Sequence, residues 1–423
     1  MIHPALSSIL LLSIVGMSIL LMLIRPRGIR EVYWVSGGAL LLVLLGLAPL
    51  RLAARAVGEG TDVYLFLIGM MLLSELAREH GVFAWLSSMA VRSAQGSCSR
   101  LFAIVYGVGA VVTILMSNDA TAVVLTPAIL HATRKAKVPP LPHLFVCALI
   151  ANAASFVLPI SNPANLVVFH DRMPPLAHWL ASYTVPSILS IAATYLVMRW
   201  LFRKELAGPI EEQVDQEPLN PQGKLVLCGL AIMVAVLLTA SALGKDLGLP
   251  ACLAALAVTA VVSVHARSNP LKLAREISWA TLALVGGLFI LVDAVESVGA
   301  LKLTTQWLAW AQGLAPTAGA LFTGFAVGIG NNLVNNLPLG LIAGATLEAS
   351  NAKGMIADAV LIGVDLGPNL SITGSLATIL WLLALRREQL DVDFWGFLKV
   401  GIVTMPIALV AALGGSILMH MLF

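Results

Sequence analysis

Four short polar runs interrupt long apolar sequence: SNDAT (117–121), PISNPANL (159–166), NNLVNN (331–336) and DLGPNLSITGS (365–375). Unpaired backbone in hydrocarbon costs several kcal/mol per group, so irregular backbone at membrane depth survives only inside protein or beside a cavity. Pro159, Pro163, Gly367, Pro368 and Gly374 fit broken helices rather than continuous ones. A broken helix offers N–H groups at one half and C=O groups at the other, and with amides and hydroxyls these replace a solute's hydration shell. The expected solute-binding residues are Ser117, Asn118, Thr121, Ser161, Asn162, Asn165, Asn332, Asn335, Asn336, Asn369, Thr373 and Ser375. The alternative is that these groups only glue helices together by hydrogen bonds.

Asp119 and Asp365 are the carboxylates within these runs. A carboxylate at a helix centre costs about 2.5–3.5 kcal/mol on insertion, so one that persists there usually marks an ion or proton path. Both are expected to couple protons, Asp119 as the principal carrier; the competing role for each is a helix cap. Glu75, Glu79, Asp293 and Glu296 read as interfacial, and His131 and His170 as surface histidines at span ends. The four cysteines, Cys98, Cys147, Cys228 and Cys252, show no CxxC or His/Cys spacing, so neither a metal site nor a disulfide framework is indicated. Cys147 reads as a buried apolar cysteine, with a thiol ligand for a metalloid as the sharper alternative. There is no Walker loop, HExxH or GxSxG, no nucleophile–base pair and no cofactor motif. No enzyme is indicated, and energy for transport must come from an ion gradient or a partner ATPase.

The elements that carry these runs lie in a membrane. Of 423 residues, 59% are hydrophobic and 11% charged, against about 25% charged in soluble domains; the mean hydropathy is +0.93. The net charge of +3 points to no nucleic acid. Apolar stretches of spanning length fall at about 5–24, 34–50, 62–77, 143–169, 179–202, 225–243, 249–265, 278–297, 355–385 and 394–422. Residues 5–24 lack a basic flank and a cleavage site, so they read as a retained helix. Segments 101–131 and 317–347, each cut by Asn and Ser, read as re-entrant hairpins with tips at 117–121 and 331–336. The expected fold is therefore an all-α membrane protein with about ten transmembrane helices, two re-entrant hairpins and two inverted-topology repeats with broken helices.

Lys and Arg divide 19 to 6 between the two sets of loops, which places the richer set in the cytoplasm and both termini in the periplasm. The repeat is visible in LFLIGMMLLSELAREHG (65–81) against LALVGGLFILVDAVESVG (282–299), and in the two hairpins, at an offset of about 218 residues. The expected organisation is an N-terminal repeat over 1–203 (scaffold helices 1–100, hairpin and broken helix 101–170), a cytoplasmic linker over 204–224, and a C-terminal repeat over 225–423 (scaffold helices 225–300, hairpin and broken helix 317–385).

SNDATAVVLTP (117–127), PISNPANLVV (159–168), LVNNLPLGL (333–341) and DLGPNLSITGSLATILWL (365–382) resemble the corresponding stretches of the arsenite/antimonite efflux permeases, the ArsB-type branch of the ion transporter superfamily. The resemblance runs from about residue 60 to about 420, and GPxLxxxGSLAT is its most specific part. Asn369 stands where that family often has lysine and Ile372 where it often has proline. The resemblance implies export of trivalent arsenic and antimony as neutral hydroxides in exchange for protons, by a hairpin-containing transport domain moving beside a scaffold. An Asn/Ser/Thr-rich site without Lys or Arg suits such a neutral solute. Three alternatives stay open: a Na+/H+ antiporter, a Na+-coupled organic-anion transporter, and the membrane subunit of an ATPase-assisted arsenite pump. The expected partners are arsenite or antimonite, protons and the lipid bilayer; a homodimer and a cytoplasmic ATPase subunit are left open. The expected location is a bacterial inner membrane.

Overall fold

A computed structural model describes residues 4–24, 26–169, 173–210, 218–299 and 301–422. His170 and residues 211–217 of the expected linker lie outside them. The described chain is helical, and its one isolated β-bridge joins Ser97 to Pro209.

The first half contains α1 (Pro4–Ile24), α2 (Glu31–Leu44), α3 (Leu50–Glu59), α4 (Thr61–Glu79), α5 (Val82–Ser93) and α6 (Cys98–Met116). It continues with α7 (Asn118–Ala120), a π-helical turn (Thr121–Leu125), α8 (Thr126–Lys135), α9 (Pro140–Ala153), α10 (Pro163–Phe169) and α11 (Leu176–Leu201). The second half contains α12 (Pro221–Ala242), α13 (Gly248–Ala266), α14 (Pro270–Glu276), α15 (Trp279–Ser297), α16 (Leu301–Gln312) and α17 (Pro316–Val334). It ends with α18 (Asn336–Ser350), α19 (Met355–Leu366), α20 (Leu376–Arg387) and α21 (Phe394–Leu422).

Local chemistry sets these boundaries. Ser97 accepts the Arg100 N–H at the start of α6, and Asn220 accepts the Gly223 N–H ahead of α12, with Pro221 as its first residue. Both are N-cap arrangements that satisfy otherwise orphaned donors. Among the described residues, six helices are long and apolar enough to cross a membrane: α6, α11, α12, α13, α15 and α21. α3 and α4, bent by 48°, make a seventh if counted as one span. α2 and α9 are apolar but shorter, and the expected spans at 143–169 and 355–385 are each two half-helices. Outward-facing apolar residues such as Leu196, Leu243 and Val264 are exposed, as lipid contact requires.

Equivalent helices of the two halves pack crosswise. α4 lies on α13 while α15, its counterpart, lies on α2; α11 lies along α21. α18 packs against α10, and the π turn with α8 packs against α20. Glycines permit the first of these approaches. A Cβ on Gly69 would meet the Ala251 carbonyl oxygen at 2.7 Å, and a Cβ on its counterpart Gly287 would meet Val35 at 2.9 Å. The most enclosed elements are α9 and α19, buried over Pro142–Ala153 and Ile356–Leu366. Phe145 of α9 meets Phe202, Trp381 and Phe397, with ring centroids 5.5–5.7 Å apart. The Trp381 indole N–H donates to the Leu144 carbonyl at 2.8 Å. These contacts pin α9 between α20, α21 and the end of α11.

Candidate functional site

Each hairpin is broken at one residue in an unusual backbone conformation. Ser117 has φ 121°, ψ 162°, and Asn335 has φ 76°, ψ 154°. They occupy equivalent places in the two halves. A non-glycine residue at positive φ is strained and is held there only by its surroundings. The second break is therefore a single residue rather than the whole expected tip over 331–336. α17 runs on through Asn331 and Asn332 because their amides serve neighbouring carbonyls: Asn331 donates to Gly363 and Val364 at 2.8 Å, and Asn332 to Gly328 at 2.9 Å.

The residues following the breaks are Asn118 and Asn336, both 2% exposed. The Oδ1 atom of each has no hydrogen-bond partner among the described residues. Buried amide oxygens are ordinarily paired; those of Asn152, Asn165 and Asn331 are also without a partner among the described residues, but Asn118 and Asn336 alone follow the hairpin breaks. Asp119 lies beside Asn118, is half-buried, and has no hydrogen bond or ion pair among the described residues. Thr121 is committed to its own hairpin through a 2.8 Å contact with Thr113.

The broken helices interlock. Asn162 Nδ2 donates to Asp365 Oδ1 at 2.6 Å, while Asn162 Oδ1 accepts the Ala164 N–H and so caps α10. Asn152 donates to Asn369 Oδ1 at 2.9 Å, and Asn369 donates in turn to the Leu149 carbonyl at 3.0 Å. Asp365, Asn369 and Asn152 are wholly buried, and Asp365 Oδ2 has no hydrogen-bond partner among the described residues. The second half-helix of each pair is capped alike, α10 by Asn162 and α20 by Ser375, which accepts the Thr378 N–H.

Several expected site residues hold the breaks together. Asn165 donates to the carbonyls of Ser155, Leu158 and Pro159. Ser161 donates to Ile114 O and accepts the Leu158 N–H, tying the first break to α6. Asn332 donates to Gly367 O and accepts from Ser371; Thr373 donates to Asn332 O and Asn335 to Thr373 O. These bonds satisfy carbonyls that lipid could not.

Asn162, Asp365, Asn152 and Asn369 thus form one group at the crossing of the breaks. Asn332, Asn335, Ser371 and Thr373 form a second beside α17, and Ser117, Asn118, Asp119 and Thr121 lie at the first hairpin. No metal-ligand cluster occurs among the described residues. Sequence reasoning missed Asn152, whose partner Asn369 lies in the other half and leaves no local signal. It also missed Asp358, whose partners Tyr183 and His420 lie far away along the chain and leave no spacing signal.

A helical bundle with lipid-facing apolar surfaces, two interrupted hairpins and two interlocked broken helices is a multi-pass membrane transporter. Residues 9–366 match the CitMHS citrate transporter family, and the chain belongs to it. An arsenical pump membrane protein of Escherichia coli is 27% identical over 418 residues, covering 93% of this chain and 95% of its own length. That of Escherichia coli K12 is 28% identical over 419 residues, with the same coverage. That of Yersinia enterocolitica is 26% identical over 414 residues, covering 94% and 96%. These relatives bear out the resemblance to ArsB-type permeases. The fold is also that of the YdaH transporter of Alcanivorax borkumensis, with a TM-score of 0.55 at 17% identity over 87% of this chain and 86% of that one.

Proposed function

We propose that this chain exports trivalent arsenic and antimony from the bacterial cytoplasm across the inner membrane, exchanging the neutral hydroxides for protons by alternating access. The observation that carries this reading is the pair Asn118 and Asn336, buried at equivalent hairpin breaks with free amide oxygens. They accept hydroxyl donors from a neutral polyol-like solute such as As(OH)3. A citrate-like anion would call for Arg or Lys, and the four polar runs contain neither. The relatives named arsenical pump membrane proteins support the same solute class.

In this reading Asp365 is the proton carrier at the centre, because it is wholly buried and meets the opposite half through Asn162. Asp119, half-buried at one hairpin, exchanges protons nearer a cavity mouth. The repeats over 1–203 and 225–423 are opposite in orientation, with both termini outside. One proton entering against a neutral solute gains about 2.3 kcal/mol per 100 mV and about 1.4 kcal/mol per pH unit. Together these support a gradient of roughly 500-fold without ATP. The test is arsenite uptake into everted vesicles under an imposed pH gradient, with Na+ gradients and ATP supplied separately. Uptake driven by Na+ or ATP and not by pH would replace this reading with one of its alternatives.

A further inference from the structure

Asp358 sits in the first turn of α19, 8% exposed, and each of its oxygens is engaged. The Tyr183 hydroxyl of α11 donates to Oδ1 at 2.7 Å, and His420 Nε2 of α21 lies 2.7 Å from Oδ2. The cluster therefore ties three helices together at one end. Helix ends reinforce it: a carboxylate near a helix N-terminus and an imidazolium in a last turn are both favoured by the backbone dipoles. His420 is partly exposed, its side chain at 31%, while the Asp358 side chain is at 11%. The cluster runs from the surface inward.

Asp365 lies seven residues further along α19, on the same face and about 10 Å deeper. Tyr183 touches the outer of these two carboxylates. The other elements packed on α19 bring few competing ionisable groups. α17 and α10 carry none, and α9 carries His143 and Cys147, which face its own neighbours Phe102 and Thr126. α18 carries Glu348, exposed near its end, and Lys353 is exposed in the turn before α19. On α11, His178 is exposed. Among the described residues the other half has no matching set: at the repeat offset Gly401 corresponds to Tyr183 and Phe202 to His420. A feature at one mouth of a two-fold-related transporter gives that mouth a distinct chemistry.

We propose that His420, Asp358 and Tyr183 form the outer proton-loading station of the transporter. His420 takes a proton from periplasmic water and hands it through Asp358 toward Asp365. Only N–H and O–H bonds form and break, and the water that gives the proton leaves as hydroxide to bulk buffer. The station lies at the end of α21, the face assigned to the periplasm by the loop charges. The inference rests on the proton-exchange reading and adds the residues that load the carrier.

The test uses everted vesicles carrying the full chain, whose lumen is the outer face, with arsenite as the probe. Initial rates of pH-driven uptake are measured across lumenal pH, beside arsenite counterflow without a proton gradient, for wild type, His420→Gln, Asp358→Asn and Tyr183→Phe. Tyr183→Phe keeps the ring packed against Trp179 and Phe156 and isolates the hydroxyl. The expected result is a roughly 100-fold loss of driven rate at neutral lumenal pH in His420→Gln and Asp358→Asn, the size of a lost proton-transfer group at its low end. The loss should shrink as the lumen is acidified, counterflow should be retained, and Tyr183→Phe should show a smaller loss. Wild-type driven rates in His420→Gln and Asp358→Asn would overturn the proposal. So would equal loss of driven uptake and counterflow in correctly inserted variants, which marks a purely structural tie. Absence of pH-driven uptake in the wild type would instead remove the proton-exchange reading itself.

Discussion

Asn162 donates to Asp365 across 2.6 Å, and this one bond joins the break of the first half to the break of the second. It places the most buried carboxylate where both halves control its surroundings. Movement of either broken helix changes the donor that Asp365 sees. Asp365→Asn keeps the shape and one hydrogen bond but cannot titrate. It should bind arsenite and permit counterflow while losing pH-driven accumulation, measured as the steady-state solute ratio in everted vesicles.

Asp119→Asn should behave differently. Asp119 is half-buried and carries no hydrogen bond or ion pair among the described residues, so nothing in the fold depends on its charge. Its substitution should lower the driven rate without abolishing the final gradient. Complete loss of accumulation in Asp119→Asn, with Asp365→Asn retaining it, would reverse the two roles.

Asn118→Ala and Asn336→Ala test the equivalence of the hairpin tips. Each removes one acceptor for the solute, and a hydrogen bond contributes about 0.5–1.5 kcal/mol net. Half-saturation for arsenite should therefore rise about two- to ten-fold in each, by similar factors. A change in only one variant would mean that the solute engages a single hairpin.

Asn369→Ala should destabilise rather than alter selectivity. It removes two buried hydrogen bonds, leaving the Asn152 amide only its 3.4 Å contact with the Ala148 carbonyl, at a net cost of about 0.5–1.5 kcal/mol each. Thermal unfolding in detergent should show a lowered midpoint. The double variant Asn152→Ala/Asn369→Ala should be less destabilised than the sum of its parts, because the two side chains share one bond.

The cysteines should be dispensable. Cys147 is buried, with its sulfur directed at the His143 carbonyl. A chain with Cys98, Cys147, Cys228 and Cys252 all changed to Ala should still confer arsenite resistance at equal expression. Loss of resistance restored by Cys147 alone would show direct thiol ligation.

The sequence revealed where helices break because Pro159, Gly367 and the Asn pairs are local signals, and both hairpins fall within a few residues of their expected limits. The relation between the hairpins was legible because their polar breaks recur 218 residues apart, at Ser117 and Asn335, and the crosswise packing of α4 on α13 and α15 on α2 agrees with it. What each polar residue does was not legible. Asn165 and Asn118 look alike in sequence, yet the amide N–H groups of Asn165 brace three carbonyls of the first break, while Asn118 sits at a hairpin tip. That difference depends on which carbonyls the tertiary fold brings near. Asp358, joined to residues on two distant helices, leaves no local trace at all.

The most direct test of the central claim is arsenite accumulation in everted vesicles under an imposed pH gradient, lumen acidic, without ATP or Na+. The account predicts accumulation in the wild-type chain that collapses when the gradient is dissipated and is absent in Asp365→Asn, with counterflow intact in both. Accumulation in Asp365→Asn equal to wild type, or wild-type accumulation that persists without the gradient, would contradict it.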